Sequence, residues 1–340
     1  MKIIYNLALL FIFQCFSSCD QTVKLPQSAS LTDSQQVKKS NTTAEANIVF
    51  RSTDGGQTWQ DISEGLPKPV KGDSVVSRNV SFADDNGLYL ISGNWLYHTT
   101  SNNTTSFWTK EIFPDEHSSI SPAKAGLFAY NYLGGGISQK TNGSNVWSPV
   151  FKNFHEKGIR TVLETSGGAL YIGADSGLFR SLDNGKTWKN VHGRGFVLKS
   201  IESNGVIMAG VDRNVIQSTD NGEHWELVTN EGGVAYDVEP IEGGVVAFTF
   251  NSKTKMRRII TSYDGGKTWQ SIDTSVPENF NMFSFIRLGE NLYGSHLSGI
   301  FKSSDEGKTW KLLLPSIGDK IFNLYVSGNV IYALARNKGC

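Results

Sequence analysis

Asp175 and Asp212 each lie between two apolar, β-prone runs, at matching places in adjacent stretches of the chain. Two carboxylates about 5 to 9.5 Å apart across a cleft are what glycoside hydrolysis needs, although acids in such loops more commonly form turns. A second set is basic. Arg78, Arg160 and Lys199 stand where three apolar runs begin, at positions aligned as equivalent, with Arg213, Arg257 and Arg258 in or near intervening loops. Tyr236 falls near them, as do Tyr130, Tyr132, Phe280 and Phe322. Guanidinium forks beside aromatic faces recognise carboxylates, sulfates, acidic peptides or anionic sugars through bidentate bonds and stacking. The plainer reading is that each is a solvated or strand-paired charge.

Other chemistries lack their parts. Six histidines, His98, His117, His155, His192, His224 and His296, are scattered, and no Cys-x-x-Cys occurs, so no metal is expected. Gly185-Lys-Thr187 lacks the first glycine of a phosphate loop and leads into a β-prone run instead of a helix, and no cofactor is expected. Lysine plus arginine equals aspartate plus glutamate at 32 each, so no overall field draws the chain to nucleic acid.

The elements that must position these residues follow from a repeat. Ser52-Thr-Asp54-Gly-Gly56-Gln-Thr58-Trp59 recurs as Ser181-Leu-Asp183-Asn-Gly185-Lys-Thr187-Trp188 and as Ser218-Thr-Asp220-Asn-Gly222-Glu-His-Trp225. It recurs again as Ser262-Tyr-Asp264-Gly-Gly266-Lys-Thr268-Trp269 and Ser303-Ser-Asp305-Glu-Gly307-Lys-Thr309-Trp310. An apolar run leads into each serine, a turn follows, and tryptophan opens another β-prone run, which describes a hairpin. The aspartate accepts backbone N–H bonds across the turn, glycine supplies positive φ, and tryptophan covers apolar surface between sheets. Asp54, Asp183, Asp220, Asp264 and Asp305 are therefore structural.

Two further runs precede each hairpin, as Arg160-Thr-Val-Leu163 and Ala169-Leu-Tyr-Ile172 do, giving four strands per repeat. Asn102 and Asn103 before Trp108, and Asn142-Gly143 before Trp147, mark two decayed copies without the aspartate. The anchoring tryptophans Trp59, Trp108, Trp147, Trp188, Trp225, Trp269 and Trp310 are spaced by roughly 37 to 49 residues, the length of a propeller blade. Seven blades follow. The first repeat has only its outer pair, from Ile48 to Ile62, while Ile321–Val326 and Val330–Leu334 stand at the other end with no turn motif behind them. They are expected to complete the first blade, removing open edges. The expected fold is an all-β, seven-bladed propeller over 48–340 that is closed by strands from both ends.

The pattern Ser-x-Asp-x-Gly-x-Thr-Trp resembles the Asp-box, or BNR, repeat of sialidases, sortilin-type receptors, xyloglucanases and photosystem II assembly factors of the Ycf48 type. Sialidases share an Arg in a Phe/Tyr-Arg-Ile-Pro motif. The nearest match here, Phe50-Arg51-Ser52-Thr53, lacks the Ile-Pro and falls inside the first Asp-box strand. The resemblance to the Ycf48-like and sortilin-like branch implies a non-enzymatic binding or assembly role, with a carbohydrate-active enzyme or glycan-binding protein as the alternative. Ligand is expected on the face opposite the Asp-box turns, where the basic set would share one opening and take a protein or an anionic glycan or peptide. The protein is expected to be a monomer.

At the beginning, Lys2 and the apolar run Ile3–Phe13 follow the secretory pattern and are too short for a comfortable membrane span. Ser17-Ser18-Cys19 resembles the lipobox of bacterial lipoproteins, with Phe16 where that family has leucine, and implies acylation of Cys19 and anchoring at the cell envelope. Residues 1–19 are then a signal peptide. Residues 20–47, rich in Ser, Thr, Gln and Lys, form a solvated tether. The remaining cysteine, Cys340, has no partner left for a disulfide.

Overall fold

A computed structural model describes residues 48–67, 81–92, 94–99, 107–114, 118–134, 136–193, 195–229, 233–272, 282–318 and 320–337. Cys19, the tether and Arg78 lie outside them. The described residues form 28 β-strands and no helix, grouped in seven antiparallel sheets of four. Six blades are contiguous in sequence. Blade four illustrates them, with Thr161–Glu164 innermost, then Leu170–Ala174, Gly177–Ser181 and, outermost, Lys189–His192.

Blade one is assembled from both ends of the domain. Its third and fourth strands are Val49–Ser52 and Gln60–Asp61, and its first and second are Ile321–Ser327 and Val330–Arg336. The seam pairs Val49 with Leu334, Phe50 with Ala333, Arg51 with Tyr332 and Ser52 with Ile331. The first strands of successive blades contact one another in an unbroken circle, with the blade-one strand Ile321–Ser327 touching both Ser284–Leu288 of blade seven and Ser81–Asp84 of blade two. The expected closure is therefore what the chain adopts.

The core is divided into seven apolar clusters, one at each boundary between blades. At the seam Phe50, Phe322, Ile300 and Ala333 are fully buried. Because each middle strand is covered by a blade on either side, its residues do not alternate. Leu170–Ala174 and Gly177–Ser181 are buried at every position. Most outermost strands carry charge or proline, as in Thr109–Ile112 with Lys110 and Glu111 and in Lys311–Pro315, which blunts them as pairing edges.

Candidate functional site

The Asp-box turns use their polar groups internally. In blade four Ser181 Oγ donates to Asp183 Oδ1 at 2.7 Å and accepts from Gly185 N at 2.8 Å. Thr187 donates to both carboxylate oxygens, N to Oδ1 at 2.9 Å and Oγ1 to Oδ2 at 2.7 Å. The same set recurs around Asp54, Asp264 and Asp305. Around Asp220, His224 takes the threonine's place. Two consecutive left-handed residues make the turn possible, Asn184 at φ 58° and Gly185 at φ 79° in blade four. Bonds from Thr187 and Ser181 hold the Asp183 carboxyl down at about 2, and those from Thr268 and Thr309 do the same for Asp264 and Asp305. Both oxygens of these carboxylates are thus taken up inside their own turns.

At the opposite ends of the strands, the loops between second and third strands meet the starts of the innermost strands. There Arg160 is tightly engaged. Its Nε donates to Asp175 Oδ1 at 2.6 Å, and its Nη2 donates to the Tyr132 hydroxyl at 3.3 Å. That hydroxyl in turn donates to Asp175 Oδ2 at 2.9 Å. The guanidinium carbon lies 4.7 Å from the centre of the Tyr132 ring and 5.6 Å from that of Phe196, so rings from blade three and from the approach to blade five flank a cation of blade four. Burial, and next the Asp175 carboxylate, raise the Tyr132 phenol above its ordinary value.

The other described basic residues have surroundings of their own. Lys199 pairs with Glu239 on the next blade at 3.1 Å. Desolvation pulls its pKa down, but the carboxylates of Glu239 and Asp237 outweigh that and raise it. Its alignment with Arg160 needs correcting. Gly173 and Gly210 occupy the same place in their second strands and pair with Thr161 and Lys199, so Lys199 lies one residue deeper than Arg160, displaced by a bulge between Val197 and Lys199. Arg213 is exposed beside Asp212, whose carboxyl is raised by burial against the opposing pull of Arg213 and His192. Arg257 begins a third strand in blade six, paired with Phe250, and Tyr236 packs its ring 6.1 Å from Phe248 in the cluster between blades six and seven. Arg78 and Phe280 lie outside the described residues, and Phe322 is fully buried.

A cavity of about 190 Å³ adjoins the Arg160 cluster between blades three and four. Phe151, Phe154, Ile137 and Ile159 form its apolar walls, with His155 and Lys157 among its polar lining. Phe151 and Phe154 pack edge-on to Trp188 at 5.5 and 5.1 Å, which fixes their orientation. Gly158 joins cavity and cluster. A side chain there would come within 2.6 Å of the Asp175 carboxylate. Tyr132 and Leu133 lie in the chain between the lining residues Asn131 and Gly134, Leu133 with 79% of its surface exposed.

Comparison with known proteins matches residues 50–61 to the family described as BNR/Asp-box repeat. The chain is a seven-bladed Asp-box β-propeller. No curated protein matches its sequence. Among solved structures the propeller is similar to an ancestral GH74 enzyme, with a TM-score of 0.54 and 13% identity over 78% of this chain and 44% of that one. It is similar to YCF48 bound to D1 peptide, with a TM-score of 0.52 and 13% identity over 79% of this chain and 96% of that one. PorZ, a surface component of the type-IX secretion system of Porphyromonas gingivalis, matches at a TM-score of 0.50 and 12% identity over 78% of this chain and 37% of its own. These likenesses show the shared fold. The propeller spans less than half of the GH74 and PorZ chains.

Sequence reading named Tyr132, Arg160 and Asp175 of this propeller but did not join them, counted His155 only among scattered histidines, and missed Phe151, Phe154 and Lys157. Two signals were available. Gly134 and Gly136 place bare backbone between two strands, and the stretch from Phe151 to Gly158 between blades three and four carries two phenylalanines in a connection otherwise without large apolar side chains. Among the described residues, no group of three or more His, Cys, Asp or Glu could hold a metal ion.

Proposed function

We propose that this propeller is an exported binding or assembly module of the cell envelope, carried on a lipid at Cys19, and that its ligand docks over the boundary of blades three and four opposite the Asp boxes. The observation that carries the reading is the Tyr132–Arg160–Asp175 cluster, held beside an apolar cavity and an exposed leucine. An ion pair locked between aromatic rings is a rigid platform, and rigid aromatic and arginine anchors dominate binding energy at interfaces. The Lys2 and Ile3–Phe13 leader and the lipobox-like Ser17-Ser18-Cys19 support export. YCF48, of the same fold, is bound to a peptide, and PorZ is a surface component.

A photo-crosslinking amino acid at Leu133, in cells producing the full chain, is expected to give a discrete crosslinked product that the same probe at Leu182, on the Asp-box side, does not give. Equal products from both positions, or none from 133, overturn the reading. Labelled palmitate is expected to enter the wild-type chain and not Cys19→Ala. The glycosidase alternative would draw on Asp175 and Asp212, but both oxygens of Asp175 are engaged, by Arg160 and by Tyr132. That engagement disfavours it as a general acid.

A further inference from the structure

We infer that the cavity between blades three and four is an anchor pocket for a single bulky apolar side chain of a peptide that carries a carboxylate beside that residue. This rests on the binding reading above and names the ligand class for the same boundary.

Size is the first argument. Pockets that enclose whole drug-sized molecules run to about 300–1,000 Å³, whereas an apolar cavity of roughly 150 Å³ holds one benzene ring. At about 190 Å³ the present cavity has room for one phenyl ring or branched aliphatic group and not for a sugar oligomer. Its walls suit that occupant. Phe151 and Phe154 are fixed by Trp188, so the pocket exists before anything enters it. On the neighbouring loop Gly134 and Gly136 have nothing within 4 Å of where a side chain would begin, so bare backbone faces open space where an extended chain could pass.

The second argument is the balance of hydrogen-bonding groups on the rim. Each of its carboxylates is already bonded within the protein: Asp175 Oδ1 by Arg160, Asp175 Oδ2 by Tyr132, and Glu156 Oε2 by the Ser176 hydroxyl at 2.6 Å. Two of its cations keep donors to spare. Arg160 uses Nε and Nη2 and keeps Nη1 unbonded among the described residues, and exposed Lys157 has no carboxylate partner among them. Unmet cationic donors beside carboxylates already bonded within the protein are complementary to an incoming carboxylate. Exposed Leu133 and Tyr132 would cover the apolar residue once it is seated.

Fluorescein-labelled hexapeptides offered to the full chain test this: one with phenylalanine next to aspartate, one with alanine in place of that phenylalanine, and one with asparagine in place of that aspartate. The phenylalanine peptide is expected to bind at least tenfold more tightly than the alanine peptide and about threefold more tightly than the asparagine peptide. Two exposed substitutions separate the two contributions. His155→Trp, which fills the mouth, is expected to erase the preference for phenylalanine, and Lys157→Ala the preference for aspartate, with the melting temperature unchanged in both. Equal affinity for phenylalanine and alanine peptides, an undiminished preference in His155→Trp, or no binding up to millimolar peptide overturns the inference. A crosslink at position 133 together with any of those results leaves the docking face standing and removes only the pocket's role. Loss of the crosslink removes both.

Discussion

The Asp-box turns and the loops where blades three and four meet use the same kinds of residue to opposite ends. At the turns, each carboxylate takes its hydrogen bonds from its own loop, and the pattern recurs with bond lengths that differ by about 0.1 Å among the threonine-bearing copies. At the blade boundary, Asp175 is held by residues far apart in sequence, Arg160 and Tyr132, and donors are left over. What repeats in this chain maintains the blades. What does not repeat is where the ligand is proposed to dock. This is the division expected when function is grafted onto a scaffold.

The contrast is broken most severely by damage to the closure, on which every blade depends. Phe50 has no exposed surface and packs edge-on to Phe322 at 6.0 Å across the seam. Phe50→Ala is expected to cost about 3–5 kcal/mol, the range for a phenylalanine lost from a packed core. Chemical denaturation would show it as a large fall in midpoint with unchanged slope.

An intermediate effect is expected within the turns. Ser181 is buried and bonds both Gly185 N and Asp183, so Ser181→Ala leaves a buried donor unsatisfied at about 1–3 kcal/mol. In blade three Asn142 stands exposed where the aspartate would be, and the turn closes through Ser144 N donating to Thr141 O. Asn142→Ala is expected to change stability by less than about 0.5 kcal/mol. Equal effects of the two would remove the distinction between intact and decayed turns.

Acid sharpens the same point. The Asp183, Asp264 and Asp305 carboxyls titrate at about 2 in the fold, against an ordinary value of 3.8. Their folded values are depressed, so their stabilisation is complete above about pH 5 and is lost as pH falls from about 4 towards 2, where the unfolded chain binds protons that the fold refuses. The melting temperature is expected to be level from pH 5 to 7 and to drop below pH 4. A drop already under way at pH 6 would implicate other groups.

Legibility in the sequence follows the same line. Blade number, turn chemistry and the seam were readable because each is written several times over or, like Ile48–Ile62 and Ile321–Leu334, lacks a local partner that the other supplies. Lys199 was misaligned because a one-residue bulge leaves no mark in an apolar run. The part of Tyr132 in the Arg160–Asp175 cluster was hidden because it comes from blade three, and spacing within a repeat says nothing about contacts between repeats. Phe151 resembles an ordinary strand residue until its left-handed φ of 51° brings it against Gly185 of the next blade.

The smallest expected effect is the most telling for function. Leu133 and Leu182 are both exposed leucines, at 79% and 58%, one beside the cavity and one in the middle of an Asp box. Neither is packed, so Leu133→Ser and Leu182→Ser are each expected to leave the melting temperature within about 2 °C, as surface changes of under about 0.5 kcal/mol do in a chain of this size. They should part in binding. The wild-type and Leu182→Ser proteins are expected to hold the phenylalanine peptide equally, while Leu133→Ser loses several-fold affinity, because of the two leucines only Leu133 is near enough to cover a side chain seated on Phe151 and Phe154. If serine at 182 weakens the peptide as much as serine at 133, the two ends of the propeller do not divide the labour between architecture and recognition.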